Sequence, residues 1–158
     1  MHGDFTIDEC FALFDRQAKG FVDVYDVQAT FDLLGVPNSL TDCEFFIRRH
    51  DADKDRVLSV DEFEHAILPV SEEHAYNLRS RNPADLVRVR AHLDRAFSYE
   101  TCRSMNALFR CYIDVEHALQ DLRVRLTHYF PHWGAFELLD KNKDGYVTKV
   151  NFKNFVKK

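Results

Sequence analysis

The chain has 158 residues, 46% hydrophobic and 30% charged, with a formal charge of −5 at pH 7. That length holds one sizeable domain or two small lobes, and the composition is that of a folded globular protein. The mild acidity argues against nucleic acid as a partner, and no apolar run approaches the roughly 20 residues of a membrane helix.

Met1-His2-Gly3-Asp4 carries neither a signal-peptide pattern nor the Gly directly after Met that myristoylation uses, so a cytoplasmic protein is expected. Cys10, Cys43, Cys102 and Cys111 show no CxxC spacing and sit in helix-like stretches, which predicts reduced, buried thiols. Thr6 is placed to cap a first helix, with Glu9 three residues on and Phe11 and Phe14 on one face. A polar stretch from Asp15 leads to Gly20. Val24, Val27, Phe31 and Leu34 then recur at helical spacing, and Gly35 ends that helix. Ser39 caps the next helix, whose apolar face is Cys43, Phe46 and Ile47. A second polar loop from Asp51 is followed by Val60, Phe63 and Ile67, with Pro69 as the stop.

Residues 70–82 read as a polar linker. A new helix is predicted from Asn82 and Pro83, with Asp85 in its first turn and Leu86, Val89, Leu93 and Phe97 as its stripe. Two more helices follow over about 99–112 and 115–128, separated by a break near Ile113-Asp114. A third polar loop starts at Asp140, with Phe136 and Leu139 before it and Phe152 and Val156 after it. Aligned on Asp15, Asp51 and Asp140, Phe11 matches Phe136, and Val27 matches Phe63 and Phe152. The repeat is therefore a supersecondary unit.

A hard divalent cation such as calcium takes six to eight oxygens. A twelve-residue loop supplies them from positions 1, 3, 5, 7, 9 and 12, with Gly at position 6 for the sharp turn. Asp51, Asp53 and Asp55 fill the first three places. Val57 offers a carbonyl, Ser59 stands at position 9, and Glu62 closes the shell. Ser59 and Glu62 also form a capping box, so the loop ends by starting a helix.

With Phe11-Ala12-Leu13-Phe14-Asp15, Leu34-Gly35, Asp51-Ala52-Asp53 and Asp61-Glu62-Phe63, residues 5–68 resemble an EF-hand pair of the calmodulin and troponin C superfamily. Residues 132–157 resemble a further hand. The resemblance implies an all-α fold of helix-loop-helix pairs in two lobes. One is an EF-hand pair over 1–69. The other, over 83–158, is irregular and ends in a third hand. It also implies bound calcium (Ca2+); the sequence shows no phosphate loop, nucleophile elbow or metal-protease pattern, so no catalysis is expected.

Three departures qualify it. Arg56 replaces the position-6 Gly, where a positive φ costs an L-residue roughly 1–2 kcal/mol. Were that cost met only on binding, calcium affinity would fall about tenfold or somewhat more. The first loop should not bind, because Gln17 is neutral, Lys19 puts an ammonium at position 5, and Asp26 is a methylene short at position 12. The third loop has Asp140, Asn142, Asp144, Tyr146 and Thr148 in ligand places, but Asn151 stands at position 12 without a carboxylate. Weak binding or none is expected there. Position 8 joins paired hands, so Val22 should face Leu58. Val147 should face Ile113 in a collapsed fourth hand.

His128 and His132 lie four apart without an accompanying ligand pattern and read as solvated or half-buried. His50 reads as a packed ring. Arg79, Arg81, Arg88, Arg90 and Arg95 form a basic segment, read either as a solvated face or as a contact for an acidic partner such as a filament. Two methionines against fourteen phenylalanines disfavour a promiscuous sensor. The expectation is a calcium-binding protein attached to one dedicated protein partner, an amphipathic helix or a cytoskeletal assembly. The alternative is a light-chain-like or axonemal subunit of the cytoskeleton or cilium that binds without calcium.

Overall fold

Thr6 starts the first helix as its spacing to Glu9 predicts. Its Oγ1 accepts the Glu9 N–H at 3.1 Å and donates to Glu9 Oε2 at 2.8 Å. In the computed structural model, which describes residues 4–83, 86–92, 96–129 and 134–156, the chain is mostly helical. The opening run is α1 (Ile7–Phe14), β1 (Phe21–Val22), α2 (Val24–Leu34), α3 (Leu40–His50), β2 (Leu58–Ser59) and α4 (Val60–Ile67). Capping boxes from Asp23 to Asp26, Ser39 to Asp42 and Ser59 to Glu62 begin α2, α3 and α4. Gly35, at φ 68°, ends α2 in the left-handed conformation that a residue without Cβ adopts freely.

The two strands pair antiparallel, with Val22 opposite Leu58, the register that aligning the two loops predicts. Both side chains are fully buried and carry the ladder into the core. Around them lies a cluster of aromatic rings from every helix of the opening run. Phe14 meets Phe63 at 5.0 Å and Phe31 at 6.3 Å between centroids, and Phe11 meets Phe63 at 5.4 Å. All three contacts are edge-to-face, the arrangement that the ring quadrupole favours.

The remainder departs from expectation in three places. Residues 70–82, read as a polar linker, contain α5 (Glu72–Arg79), which buries Ala75 and Leu78. The helix expected from Asn82 is shorter at its C-terminal end. α6 (Leu86–Ala91) holds the fully buried Val89, while Ala96 and Phe97 are buried outside any helix; Asp85 and Leu93 lie outside the described residues.

Nor is there a break at Ile113-Asp114. One helix, α7 (Tyr99–Tyr129), runs through it. No Gly or Pro interrupts that stretch. Met105, Phe109, Ile113 and Glu116 are buried at helical spacing, and Asp114 is exposed, so its low helix propensity is the only penalty. The collapsed fourth hand is therefore absent. Ile113 is a helical core residue, and Val147 belongs to no strand among the described residues.

The chain divides into two compact units, up to Asp114 and from Val115 onward, so the division falls inside α7 rather than at 70–82. The second unit contains the rest of α7, then α8 (Gly134–Leu139) and α9 (Lys149–Val156) around the loop from Asp140. In α7 of this unit, Glu116 accepts hydrogen bonds from Gln120 at 2.9 Å and Arg123 at 2.8 Å. The four cysteines are unbridged, as expected; Cys10 and Cys43 are buried, whereas Cys111 is exposed. Among the described residues no helix is long and apolar enough to cross a membrane.

Asp4 ties the start of the chain to the start of α7. Its carboxylate accepts the Ser98 N–H and the Thr101 hydroxyl, both at 2.6 Å. Burial works against the charged form, but these hydrogen bonds outweigh it and hold the carboxyl at about 2 instead of 3.8. A folded pKa below the unfolded one gives stability that is present above 3.8 and lost as pH falls toward about 2. Asp4→Asn should therefore melt below the wild type at neutral pH, and the gap should close between those two pH values in a thermal-melting series. A gap unchanged across that window would mean that the carboxylate charge contributes nothing.

Candidate metal centre

The three polar loops share one backbone. Positions 4 and 6 are left-handed in each: Ala18 at φ 55° and Gly20 at 85°, Lys54 at 67° and Arg56 at 71°, Lys143 at 55° and Gly145 at 82°. The first-position aspartate sets this shape. Asp15 accepts the N–H groups of Lys19 and Gly20, both at 2.8 Å. Asp51 accepts those of Lys54 at 2.6 Å and Arg56 at 3.0 Å. Asp140 accepts those of Asp144 at 3.1 Å and Gly145 at 2.9 Å. Arg56 thus takes the conformation that Gly takes in the other two loops, held there by a carboxylate of its own chain. The φ cost of Arg56 is carried in this conformation of the loop, with the Asp51 carboxylate hydrogen-bonded to the Arg56 N–H.

In the second loop Asp51, Asp53 and Asp55 each bring a carboxylate oxygen within 4.8 Å of the others, the one such group among the described residues. Asp53 accepts the Asp55 N–H at 3.2 Å, and Asp55 accepts the Val57 N–H at 2.9 Å, so each side chain bends into the turn. Glu62 closes the ring. One oxygen accepts the Ala52 N–H at 2.8 Å; the other accepts the Ser59 N–H at 3.0 Å and hydroxyl at 2.7 Å. The first turn of α4 is thereby tied to the beginning of the loop.

The charges are crowded. The Asp55 N–H favours ionised Asp53, yet slight desolvation, the charges of Asp55 and Glu62 and a hydrogen bond with Asp51 outweigh it and raise the Asp53 pKa. Glu62 is shifted the other way, because the Ser59 N–H, the Ser59 hydroxyl and the Ala52 N–H stabilise its charge. The result is an exposed oxygen cluster with a surplus of negative charge, which a hard cation would relieve.

The first loop has a cation of its own. Lys19 Nζ lies 2.6 Å from both Asp23 and Asp26, at positions 9 and 12, and 4.9 Å from the centroid of the Phe21 ring. Partial burial opposes its charge, but the hydrogen bonds and charges of the two aspartates prevail and raise its pKa. Asp26 makes the same capping contact as Glu62 with a shorter arm: it accepts the Asp23 N–H at 2.9 Å and pairs with the Lys19 ammonium.

The third loop uses an amide. Asn151 Oδ1 accepts from the Thr148 N–H at 3.2 Å and from the Thr148 hydroxyl, while its Nδ2 donates to the Leu139 carbonyl at 3.1 Å. Asn142 donates to Asp144, whose other oxygen takes the Tyr146 N–H at 2.9 Å. Closure is achieved without charge at position 12, and the loop lacks the carboxylate pair that Glu62 supplies to the second.

The basic segment is largely used inside the fold. Arg79 pairs with Glu64, Arg81 donates to the Phe5 carbonyl at 2.9 Å, and Arg90 donates to the Asp15 carbonyl at 3.1 Å. Arg90 thereby supplies a cation to the C-terminal end of α1, whose last turn contains none. Arg88 is exposed on α6, and Arg95 lies outside the described residues. Sequence reasoning missed these contacts because their acceptors are mostly backbone carbonyls far along the chain.

His50 is packed between Phe46 and Tyr112, with ring centroids 5.2 and 5.3 Å away. Burial, aided by the charge of Arg49, pushes its pKa down to about 4. His128 and His132 lie outside the side chains described. No family model, curated protein or solved structure matches the chain.

Removing the internal cation should matter at both ends of the pH range. Lys19→Met leaves Asp23 and Asp26 facing each other unneutralised and should cost about 1 kcal/mol in a denaturant titration near neutral pH. The raised Lys19 pKa means that its contribution is complete below 10.5 and is lost only as pH climbs past that value. The lowered Asp23 pKa means that its share is lost as pH falls below 3.8. A variant as stable as the wild type throughout would show the ammonium to be incidental.

Proposed function

We propose that this is a non-catalytic EF-hand protein that binds calcium at residues 51–62 and is attached to a dedicated protein partner. The observation that carries the reading is the convergence of Asp51, Asp53 and Asp55 in a loop whose closing Glu62 already reaches back to its start. In this reading Val57 supplies its carbonyl, Ser59 stands beside the ion directly or through water, and Glu62 provides two oxygens. The loop from Asp140 to Asn151 binds weakly or not at all, and the protein works in the cytoplasm.

Lys19 favours a second reading, a light-chain-like or axonemal subunit of the cytoskeleton or cilium. With an ammonium fixed between Asp23 and Asp26, the first loop keeps its shape at any calcium level. A sensor needs differential affinity of its ligand for two states, and in unit one a single loop is left to supply it.

Calorimetry of the full chain with calcium should show one main event, and Glu62→Gln should abolish it; a variant that titrates like the wild type would refute the assignment. Arg56→Gly should stabilise the protein by about 1 kcal/mol, the relief of φ strain less the added freedom of Gly in the unfolded chain. Its calcium affinity should change by less than the tenfold that binding-linked strain would give. A larger gain would show that the turn forms only with the ion.

A further inference from the structure

The groove formed by the first four helices is filled by the chain's own α7. Met105, Phe109 and Ile113 follow one another at four-residue steps and are 4%, 0% and 7% exposed. The Phe109 ring enters the aromatic cluster, with centroids 5.4 Å from Phe14, 5.1 Å from Phe31 and 5.9 Å from Phe46. Met105 Sδ lies 3.9 Å from Cys10 Sγ on α1. Arg103, Ala107 and Arg110 face outward. This i, i+4, i+8 pattern of anchors is how a separate amphipathic helix lies in a hydrophobic groove.

Two polar contacts make the segment look like a ligand rather than simple filling. Asn106 Nδ2 donates to the Leu34 carbonyl at 2.8 Å, and the Tyr112 hydroxyl donates to the Ala66 carbonyl at 2.6 Å. Both carbonyls lie in the last turn of a helix, α2 and α4, where the helix itself provides no donor. Two solvent-open clefts flank α7. A cleft of about 420 Å³ opens on one side, lined by Leu33, Leu34, Phe97 and Cys102 among others. A second, of about 320 Å³, opens among Phe5, Ile67, Leu78 and Leu108.

We propose that residues 99–114 are an intramolecular ligand that holds a helix-binding groove shut. An amphipathic helix with large apolar side chains at the same spacing takes the groove when this segment is displaced. The inference goes beyond the calcium reading and does not depend on it: the anchors and both latches lie outside residues 51–62.

The test is fluorescence anisotropy with a labelled peptide of residues 99–114, added under reducing conditions to the full chain without calcium. In the wild type the tethered segment competes at an effective concentration in the millimolar range, so the peptide should bind poorly. In the double variant Asn106→Ala/Tyr112→Phe, which keeps the three anchors and drops both latches, it should bind at least tenfold more tightly. A peptide with Ala in place of its Phe should not bind. Hydrogen exchange of the double variant should show 99–114 opening before α1–α4. In Phe109→Ala, the peptide should restore protection to α1–α4. Equal peptide binding by wild type and double variant, or none by either, overturns the proposal. So does loss of α1–α4 structure together with 99–114 in both variants without rescue by peptide, since the segment is then part of one indivisible core. Failure of the calcium titration leaves these outcomes unchanged.

Discussion

The loops depend on one interaction: the carboxylate at the head of each loop accepts backbone N–H groups from three to five residues ahead. Asp15, Asp51 and Asp140 all do this, and the position-6 N–H is an acceptor's partner in every case. The contact bends the chain so sharply that positions 4 and 6 turn left-handed, whether the residue there is Gly, Ala, Lys or Arg. It also sets the exit. Once the turn is made, the chain emerges extended, and in the first two loops it enters the short ladder where Val22 meets Leu58 before the next helix begins. A metal ion is not needed to explain this shape, because Lys19 stands among the carboxylates of one loop that has it.

What distinguishes the loops is how each deals with its own negative charge. The first neutralises it internally: Lys19 bridges two aspartates, and rising pH must pass the ammonium's raised pKa before that is undone. The third lowers the charge at the start, with Asn at positions 3 and 12, and closes through an amide shared between Thr148 and Leu139. The second does neither. It keeps four carboxylates, two of them shifted in opposite directions by the same crowding and hydrogen bonding, and leaves the cluster open to solvent. A binding site is a place where the fold has left a demand unmet. Among these loops only the second is built in that way, so calcium is proposed there.

The local features were legible because they are short-range. Capping boxes link residues three apart, Gly35 acts at its own position, and the Val22–Leu58 register follows from two loops of equal length. Lys19 was visible as an intruder in the first loop, though its double pairing needed coordinates. The middle of the chain was read less well. Polarity suggested a linker over 70–82, but Ala75 and Leu78 suffice to bury one face of α5. Asp114 suggested a break in a helix that merely exposes it to water. The alternation of apolar residues in 99–114 was correctly helical, yet nothing in it says what the helix packs against. That depends on Phe14, Phe31 and Phe46, sixty or more residues away. The contacts of Arg81 and Arg90 were illegible for the same reason: an Arg that donates to a distant carbonyl has no partner in the sequence pattern.

The loops and α7 meet at the ends of the exiting helices. Helix α2 begins at the loop fixed by Lys19 and ends at the Leu34 carbonyl held by Asn106. Helix α4 has Glu62 in its first turn and the Ala66 carbonyl, one turn further on, held by Tyr112. The two latches are alike, but the loops they answer to are not. Lys19 leaves α2 nothing to respond to, so any displacement that starts at Glu62 is transmitted through a single turn of α4 to Tyr112 alone. Phe63, on that same turn, contacts Phe11 and Phe14 edge-on and resists independent movement. An ion at the second loop would then strain one latch and leave the other intact. In the proposed reading that is the physical basis of a small response: half of the grip on α7 is beyond the reach of calcium.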